Sequence, residues 1–249
     1  GLSLSSKEVE GLFYRSPWEH QMRGVSGLMA ELENVQSCTL CSPTGGGKSL
    51  MVGAMIGACD LAGKRSAVLT NRRILTQQLA EGFDKQGIEF GVVAASMPGR
   101  YDQNKPHQIC SVPTLLSRGG KLKADIVFID EAHMQLGPEA TQLYQVLMAA
   151  GVHLVPVSAT PLGCKAIAPK IVVAGKNSEL RACGAHVPAI VKGLHEMDVS
   201  SVRRVREVFE YGSIVETAWC QAVVGDIFED YVRFNPQQRP ALCTAPGVP

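Results

Sequence analysis

The sequence predicts an α/β fold in which a mostly parallel sheet carries helices on both faces. Short apolar runs of four to eight residues alternate with segments long enough to be crossover helices. The runs are rich in Val, Ile, Leu and Cys and mostly lack alternation with polar residues, which is typical of strands buried on both faces. A glycine-rich stretch follows the first of these runs directly, where a strand would lead into a helix.

Two helices are predicted before the first strand. Ser5 and Glu8 fit a capping box for a short helix. Ser16 and Glu19 fit a second box, with Pro17 at the first helical position. The apolar residues of this second helix recur at helical spacing and predict one buried face, made of Trp18, Met22, Val25, Met29 and Leu32.

The strands of the sheet are predicted in the middle of the chain. They are SCTLC, SAVLT, EFGVVA, QICSV, DIVFID and HLVPVSAT, with crossover helices over 48–61, 72–83 and 139–149. Beyond Pro161 we expect strands in PKIVVAG and VPAIV, a helix in GDIFEDYVRFN and a strand in RPALCTAPGVP. We therefore expect one domain over residues 1–200 and, over 201–249, a helical linker followed by a further strand.

The composition is that of a globular protein. Of the 249 residues 45% are hydrophobic and 19% charged, and no run approaches the ~18 apolar residues that a membrane-spanning helix needs. The amino terminus has no basic region followed by an apolar run, so no secretory signal is expected. The eight cysteines contain one C-x-x-C pair, Cys38 and Cys41, and no second pair at zinc-finger spacing. We interpret them as buried thiols of a reducing, cytoplasmic environment without a membrane partner.

The glycine-rich stretch SPTGGGKS, residues 42–49, resembles a phosphate-binding loop except that Ser42 replaces the first glycine of G-x-x-x-x-G-K-[ST]. Gly45, Gly46 and Gly47 allow successive backbone N–H groups to point at polyphosphate, beside the N-terminus of a helix. Lys48 can neutralise the phosphates, and the Ser49 hydroxyl can bind Mg²⁺. The alternative is a glycine-rich turn that precedes Lys-Ser by chance.

A second motif, IVFIDEAH, ends a buried run with two carboxylates. Asp130 and Glu131 would emerge at the carboxyl edge of the sheet, where ligands collect in such folds. Asp130 would then hold Mg²⁺ and Glu131 would orient and deprotonate the attacking water. The alternative is an acidic N-terminus of a helix, which the helix dipole favours.

Three motifs in this order resemble motifs I, II and III of superfamily 2 helicases of the DExH type. They are SPTGGGKS, DEAH at Asp130 to His133, and SAT at Ser158 to Thr160. In that family the first position of the loop varies and Thr44 before the glycines is typical, so Ser42 fits the pattern. The resemblance covers roughly residues 14–161 and implies the amino-terminal RecA-like domain of a phage or bacterial helicase, which uses ATP and Mg²⁺. It implies that residues 1–200 form this ATP-binding domain and that 201–249 hold a helical linker and the first strand of a second RecA-like domain.

The resemblance also implies roles for residues outside the loop. Gln21 would contact adenine, and His133, Ser158 and Thr160 would couple the nucleotide site to nucleic acid. Weaker motifs supply candidate contacts to the nucleic-acid backbone: Thr70, Asn71 and Arg72 in VLTNRRILTQQ, and Ser111 and Thr114 in ICSVPTL. The remaining histidines have no ligand spacing and are assigned no role: His20, His107, His153, His186 and His195.

The charge distribution bears on the partner. Residues 64–123 contain ten Lys and Arg against four Asp and Glu, although the whole chain has a net charge of +1. A face that binds nucleic-acid backbone shows such asymmetry, and so do solvated loop tips. Because both weaker motifs lie in this segment, we expect single- or double-stranded nucleic acid as partner, with DNA favoured.

Three functions remain open from the sequence. The first is the ATP-binding half of a helicase or translocase whose second RecA-like domain supplies arginine fingers; the pattern Q-x-x-G-R-x-x-R does not occur in this sequence. The second is a nucleotide-dependent switch or adaptor that does not move on nucleic acid. The third is a metabolic P-loop kinase, which would leave DEAH and SAT without explanation.

Overall fold

The computed structural model describes residues 4–187 and, beyond them, residues 200, 203–205, 208–209, 232–235 and 237. The helices are α1 Ser6–Gly11, α2 Glu19–Leu32, α3 Lys48–Leu61, α4 Arg73–Gln86, α5 Val112–Ser117, α6 Pro138–Ala149 and α7 Asn177–Ala182. The strands are β1 Cys38–Cys41, β2 Ser66–Thr70, β3 Phe90–Val93, β4 His107–Ser111, β5 Ile126–Asp130, β6 His153–Ser158 and β7 Lys170–Val173. Two further strands, β8 Arg204–Val205 and β9 Val208–Phe209, pair antiparallel with each other.

Strands β1 to β7 form one sheet in the order β3-β4-β2-β5-β6-β1-β7, and every pair is parallel. The predicted parallel α/β fold is confirmed, and each of the six runs in the middle of the chain contains one strand. Because parallel strands all point the same way, β1, β2, β4, β5 and β6 end at one edge of the sheet. We call this the carboxyl edge.

Both faces of the sheet are covered, which explains why the strands do not alternate with polar residues. Val68 of β2 packs in a cluster with Met55 of α3 and Phe83 of α4. Its neighbour Leu69 packs in a second cluster with Tyr144 of α6. Successive side chains of a strand point to opposite faces, so both must be apolar when both faces carry helices.

The start of α2 differs from the prediction. The Ser5–Glu8 capping box of α1 is confirmed, but the box at Ser16 and Glu19 is wrong, because α2 begins at Glu19 and Trp18 precedes it in an extended conformation. The N–H of Trp18 donates to Oε1 of Gln21 at 3.0 Å, and this contact sets the start of the helix two residues later than predicted. Trp18 is 38% exposed, and the buried face of α2 instead includes the polar His20 and Gln21.

Replacing glycine by alanine is expected to have opposite effects on stability at two positions, one inside α4 and one at its end. Gly82 lies inside the helix and Gly87 ends it with φ +69°; at both, an added Cβ meets no atom within 4 Å. We expect Gly82→Ala to raise the free energy of unfolding by about 0.5–1 kcal/mol, because alanine favours the helix and restricts the unfolded chain. We expect Gly87→Ala to lower it by about 1 kcal/mol, because a left-handed conformation strains an L-residue.

Urea unfolding monitored by circular dichroism measures both variants against the parent chain. Shifts of the same sign would contradict the assignment of one glycine to the helix interior and the other to its left-handed end.

Several predicted elements lie mostly or wholly outside the described residues. They are VPAIV, RPALCTAPGVP and most of GDIFEDYVRFN, of which residues 232–234 are helical. The chain divides into two compact units, Gly1–Pro188 and Ala189–Pro249; the predicted boundary at residue 200 stays a prediction. No helix in the described part of the chain is both long and apolar enough to cross a membrane.

Candidate nucleotide site

The glycine-rich loop joins β1 to α3 and has no room for side chains at its three glycines. Gly45 and Gly47 have φ of +78° and +84°, which strongly favours glycine. A Cβ on Gly46 would lie 2.3 Å from Oγ of Ser42, and a Cβ on Gly47 would lie 2.3 Å from Nε2 of Gln21. The backbone of the loop therefore packs closely against Ser42 and Gln21. Thr44, Gly45 and Ser49 are exposed to solvent.

Ser42, which departs from the general loop pattern, is fully buried beneath the loop. Its N–H donates to the carbonyl of Ser158 at 3.1 Å, continuing the pairing of β1 with β6. Its Oγ has no hydrogen-bond partner among the described residues. A small side chain is tolerated at residue 42 because Gly46, directly above it, has none.

Lys48 and the two carboxylates of DEAH meet at the carboxyl edge. Asp130 of β5 and Leu40 of β1 are both paired with Val157 of β6. Strand β6 therefore lies between β5 and β1, and their backbones are about 10 Å apart. The side chains bridge this gap: Nζ of Lys48 lies 3.9 Å from Oε1 of Glu131. The Lys48 side chain is 11% exposed and that of Glu131 33%, so the lysine is largely shielded from water and the carboxylate is partly open to it.

The electrostatics of this edge suit a divalent cation. Burial, and then the neighbouring charge of Glu131, raise the pKa of Asp130 above its usual value, while Lys48 opposes this shift. Two carboxylates thus face one lysine. Carboxylate and hydroxyl oxygens are ligands that Mg²⁺ accepts, and Asp130 with Ser49 at the start of α3 provides both kinds. The residues present therefore fit a magnesium ion.

Glu131 has an unusual backbone conformation. Its φ of +46° and ψ of +48° are left-handed, and no other non-glycine residue in the described part of the chain has a positive φ. Such a conformation costs about 1–2 kcal/mol for a residue with a side chain. The turn reverses the chain directly after β5, and in it Glu131 lies between Lys48 and His133, whose Nδ1 is 3.5 Å from its Oε2.

Ser158 at the end of β6 connects the three motifs. Its Oγ lies 2.8 Å from Nδ1 of His133 and accepts a hydrogen bond from the N–H of Thr160 at 3.1 Å. Its carbonyl accepts from the N–H of Ser42. Ser158 therefore contacts His133, Thr160 and the start of the phosphate loop, and it connects the three residues predicted to couple nucleotide and nucleic acid.

Gln21, predicted to contact adenine, lies buried against the loop. Its Nε2 donates to the carbonyl of Gly46 at 3.1 Å, and its Oε1 accepts from the N–H of Trp18. Both ends of the amide thus have protein partners. The contact with adenine stays a prediction.

The predicted nucleic-acid contacts also lie at the carboxyl edge. Thr70 and Ser111 end the neighbouring strands β2 and β4 and are paired in register. Asn71 donates to the carbonyl of Met134 at 3.4 Å, Arg72 is exposed before α4, and Oγ1 of Thr114 accepts from the N–H of Ala95 at 3.4 Å. Of the two strands, β2 is paired with β5, which carries Asp130, and β4 lies one strand further away.

The basic segment, in contrast, is divided between the two edges of the sheet. Arg72 and Arg73 follow β2 at the carboxyl edge and are exposed. Arg65 precedes β2, and Lys121 and Lys123 precede β5, so they lie at the opposite edge. Arg65 donates there to the carbonyls of Gln103, Lys105 and Lys123. The positive charge counted along the sequence therefore does not form one face.

Three side chains that the sequence did not single out contact the site. His20 and His186 bind carbonyls of the phosphate loop. Gln135, which is buried, donates to the carbonyl of Asp130 and, at 3.4 Å, to that of Leu69, so it ties the ends of β5 and β2 together. The contacts of His20, of His186 and of Gln135 with Leu69 join residues 26, 142 and 66 apart, so no local pattern in the sequence predicts them.

A parallel sheet with a phosphate loop after its first strand and an acidic pair after a nearby strand defines a RecA-like P-loop domain. The chain belongs to the family of the Type III restriction enzyme, res subunit, whose model matches residues 15–162, more than half of the chain. This places the domain among the superfamily 2 helicases and their ATPase cores. Membership implies a nucleotide, typically with Mg²⁺.

Solved structures similar to this chain have low sequence identity. A hypothetical ATP-dependent RNA helicase from Sulfolobus tokodaii is 21% identical, with a TM-score of 0.45, and the match covers 63% of this chain and 51% of that one. The SWI2/SNF2 ATPase core of Sulfolobus solfataricus in complex with dsDNA is 19% identical (TM-score 0.49; 62% and 34% covered). The DUF1998 helicase MrfA bound to DNA is 15% identical (TM-score 0.48; 70% and 30% covered).

The chain thus spans about half or less of the length of these proteins. No curated protein matches it.

Proposed function

We propose that this chain is the ATP-binding domain of a DExH-type helicase or translocase that acts on nucleic acid, with DNA favoured. The observation that carries the proposal is the set of hydrogen bonds at Ser158, which joins the phosphate loop at Ser42 to His133 beside the acidic pair. A P-loop kinase needs no such connection. A motor does, because the state of the nucleotide must change the edge that binds the strand.

In this proposal each residue of the site has a defined task. The backbone N–H groups of the loop and Lys48 bind the phosphates of ATP, and Ser49 and Asp130 hold Mg²⁺. Mg²⁺, when bound, neutralises phosphate charge. Glu131 orients the attacking water and takes its proton.

Nucleic acid is proposed to lie along the carboxyl edge, against the ends of β2 and β4. Asn71, Arg72, Ser111 and Thr114 are at least partly exposed and offer amide, guanidinium and hydroxyl groups suited to phosphate oxygens. Thr70 is fully buried, so a contact from its hydroxyl would require the end of β2 to move. Contacts of this kind do not depend on sequence. Duplex DNA is the first substrate to test because the family is named for a restriction enzyme.

A second RecA-like domain is the proposed protein partner. An arginine finger accelerates phosphoryl transfer by about 10³–10⁵-fold. We therefore expect this chain alone to bind ATP and to hydrolyse it slowly. Turnover above ~1 s⁻¹ by the isolated chain would contradict the need for such a partner.

Binding of labelled single- and double-stranded DNA, measured by fluorescence anisotropy across a salt series, tests the proposed edge. Each phosphate contact contributes about 0.7 to 0.9 to the slope of log affinity against log salt. We expect Arg72→Ala with Arg73→Ala to weaken binding and to reduce the slope by about 1–2. Lys121→Ala with Lys123→Ala removes the same charge from the opposite edge and should leave the slope nearly unchanged.

Equal effects of the two double variants would contradict the proposed edge. ATP binding without measurable affinity for either form of DNA, or for RNA, would favour the nucleotide-dependent switch or adaptor.

A further inference from the structure

Three carbonyl groups of the phosphate loop have hydrogen-bond partners that hold them in place. The carbonyl of Pro43 accepts from the N–H of Gly46 at 2.9 Å. The carbonyl of Thr44 accepts from Nε2 of His186. The carbonyl of Gly46 accepts from Nε2 of His20 at 3.0 Å and from Nε2 of Gln21 at 3.1 Å. A carbonyl oxygen cannot donate, so each imidazole must carry its proton on Nε2.

The direction of a carbonyl fixes the direction of the next N–H. In a planar trans peptide the C=O and the following N–H point to opposite sides, and the described residues contain no cis peptide bond. His20 and Gln21 are buried and hold the Gly46 carbonyl on the buried side of the loop. The N–H of Gly47 must therefore point away from them. By the same argument, His186 sets the N–H of Gly45.

His20 has little freedom to move. Its side chain is buried, with the residue 4% exposed, and its ring stacks on Trp18 with centroids 5.7 Å apart and planes 28° apart. Its Cδ2 is so close to Gly175 that a Cβ there would lie 3.0 Å away. The ring is thus confined by Trp18 and by the backbone after β7, which fixes the position of its Nε2.

His186 reaches the loop from the segment after α7. Its N–H donates to the carbonyl of Leu180 at 3.0 Å, and α7 is joined to α2 by an ion pair between Arg23 and Glu179 at 2.8 Å. Its Nε2 lies so close to Gly45 that a Cβ on that residue would be 2.8 Å away. Glycine at residue 45 therefore serves two purposes: it adopts the positive φ, and it leaves room for the imidazole of His186.

We infer that His20 and His186 are positioning residues of the nucleotide site, which hold the carbonyls of Gly46 and Thr44 and so aim the N–H groups of Gly47 and Gly45 at a polyphosphate. The inference rests on the proposed binding of ATP. It assigns a task to two histidines that lie outside the motifs, and it makes α7 and the residues after it part of the phosphate site.

The test replaces each imidazole by a ring without a donor. We expect His20→Phe and His186→Phe each to weaken binding of ATP and of inorganic tripolyphosphate by about three- to tenfold, measured by calorimetry with Mg²⁺. His20→Gln and His186→Gln restore a donor and should recover part of the loss. His153→Phe is the matched control, because His153 begins β6 at the opposite edge.

A spectroscopic measurement separates positioning from general stability. In the parent chain tripolyphosphate should shift the amide resonances of Gly45 and Gly47, and the free protein should show His20 and His186 protonated at Nε2. Each Phe variant should reduce the shift of the N–H that its histidine sets. If a Phe variant fails to fold, the inference is tested by the affinity of the Gln variant and by the protonation of Nε2 in the parent chain. An Nε2 without a proton in either histidine overturns the inference for that residue.

The two proposals fail in different ways. If the parent chain binds neither ATP nor tripolyphosphate, the proposed function is overturned and the inference with it. If the parent chain binds both, and both Phe variants bind as the parent does, the inference alone is overturned.

Discussion

Lys48→Met is expected to lower the affinity of the chain for ATP with Mg²⁺ by about 30- to 1000-fold, which corresponds to about 2–4 kcal/mol. Nζ of Lys48 is the cation at the acidic pair, and its side chain is mostly buried between the loop and Glu131. The phosphates and both carboxylates would then share the site without that cation. Methionine keeps the volume of the lysine stem, so the loss reports charge rather than a cavity.

Calorimetric titration with ATP and Mg²⁺ measures this effect, and Lys85→Met is the control. Lys85 is exposed in the last turn of α4, remote from the loop, and its replacement removes the same charge. We expect parent-like affinity from the control and similar thermal stability from both variants. Unchanged ATP affinity in Lys48→Met would remove the main support for a nucleotide site.

Ser158 joins its own motif to the two others, because its carbonyl contacts the phosphate loop and its hydroxyl contacts DEAH. Its carbonyl holds Ser42, and its hydroxyl contacts His133 and the N–H of Thr160. A displacement of the phosphate loop would be passed through β6 to the turn that holds Glu131. We propose this contact as the route by which the two parts of the site are coupled.

The fold was largely predictable because the sheet is buried on both faces. In runs such as DIVFID the apolar residues between the two aspartates do not alternate with polar ones. Both faces of such a strand must be buried, which requires a layer of helices on each side of the sheet. The start of α2 was not predictable from Ser16 and Pro17. The side chain of Gln21 caps the N–H of Trp18 while it binds Gly46, and this contact joins segments 25 residues apart.

The site was predictable only where one segment carries it. Lys48, Asp130 and Glu131 could be proposed as site residues because loop and strand patterns are local. The left-handed backbone of Glu131 could not be predicted, since an acidic residue has no local signal for that conformation. The roles of His20 and His186 could not be predicted, because neither has another candidate ligand at a typical spacing in the sequence. Both bind carbonyls of the loop across long sequence separations. The divided charge of residues 64–123 likewise follows from strand order and not from composition.

Glu131→Gln is expected to leave ATP affinity within about threefold of the parent and to reduce the slow hydrolysis by about 10²–10⁴-fold, the usual contribution of a general base. Glutamine has nearly the same shape, so the turn after β5 should persist. The charge of Glu131 raises the pKa of Asp130. Its removal should lower that pKa and keep Asp130 ionised, so Mg²⁺ binding should not suffer.

Single-turnover hydrolysis and calorimetry on the same preparation separate the two effects. Glu139→Gln removes an equal charge from the exposed first turn of α6 and should change neither quantity. Parallel loss of binding and hydrolysis in Glu131→Gln would mean that the ion pair with Lys48 shapes the loop, and that Glu131 is not the base. Because Nζ and Oε1 are already 3.9 Å apart, beyond hydrogen-bond distance, we expect the pair to matter little for binding and the carboxylate to matter for proton transfer.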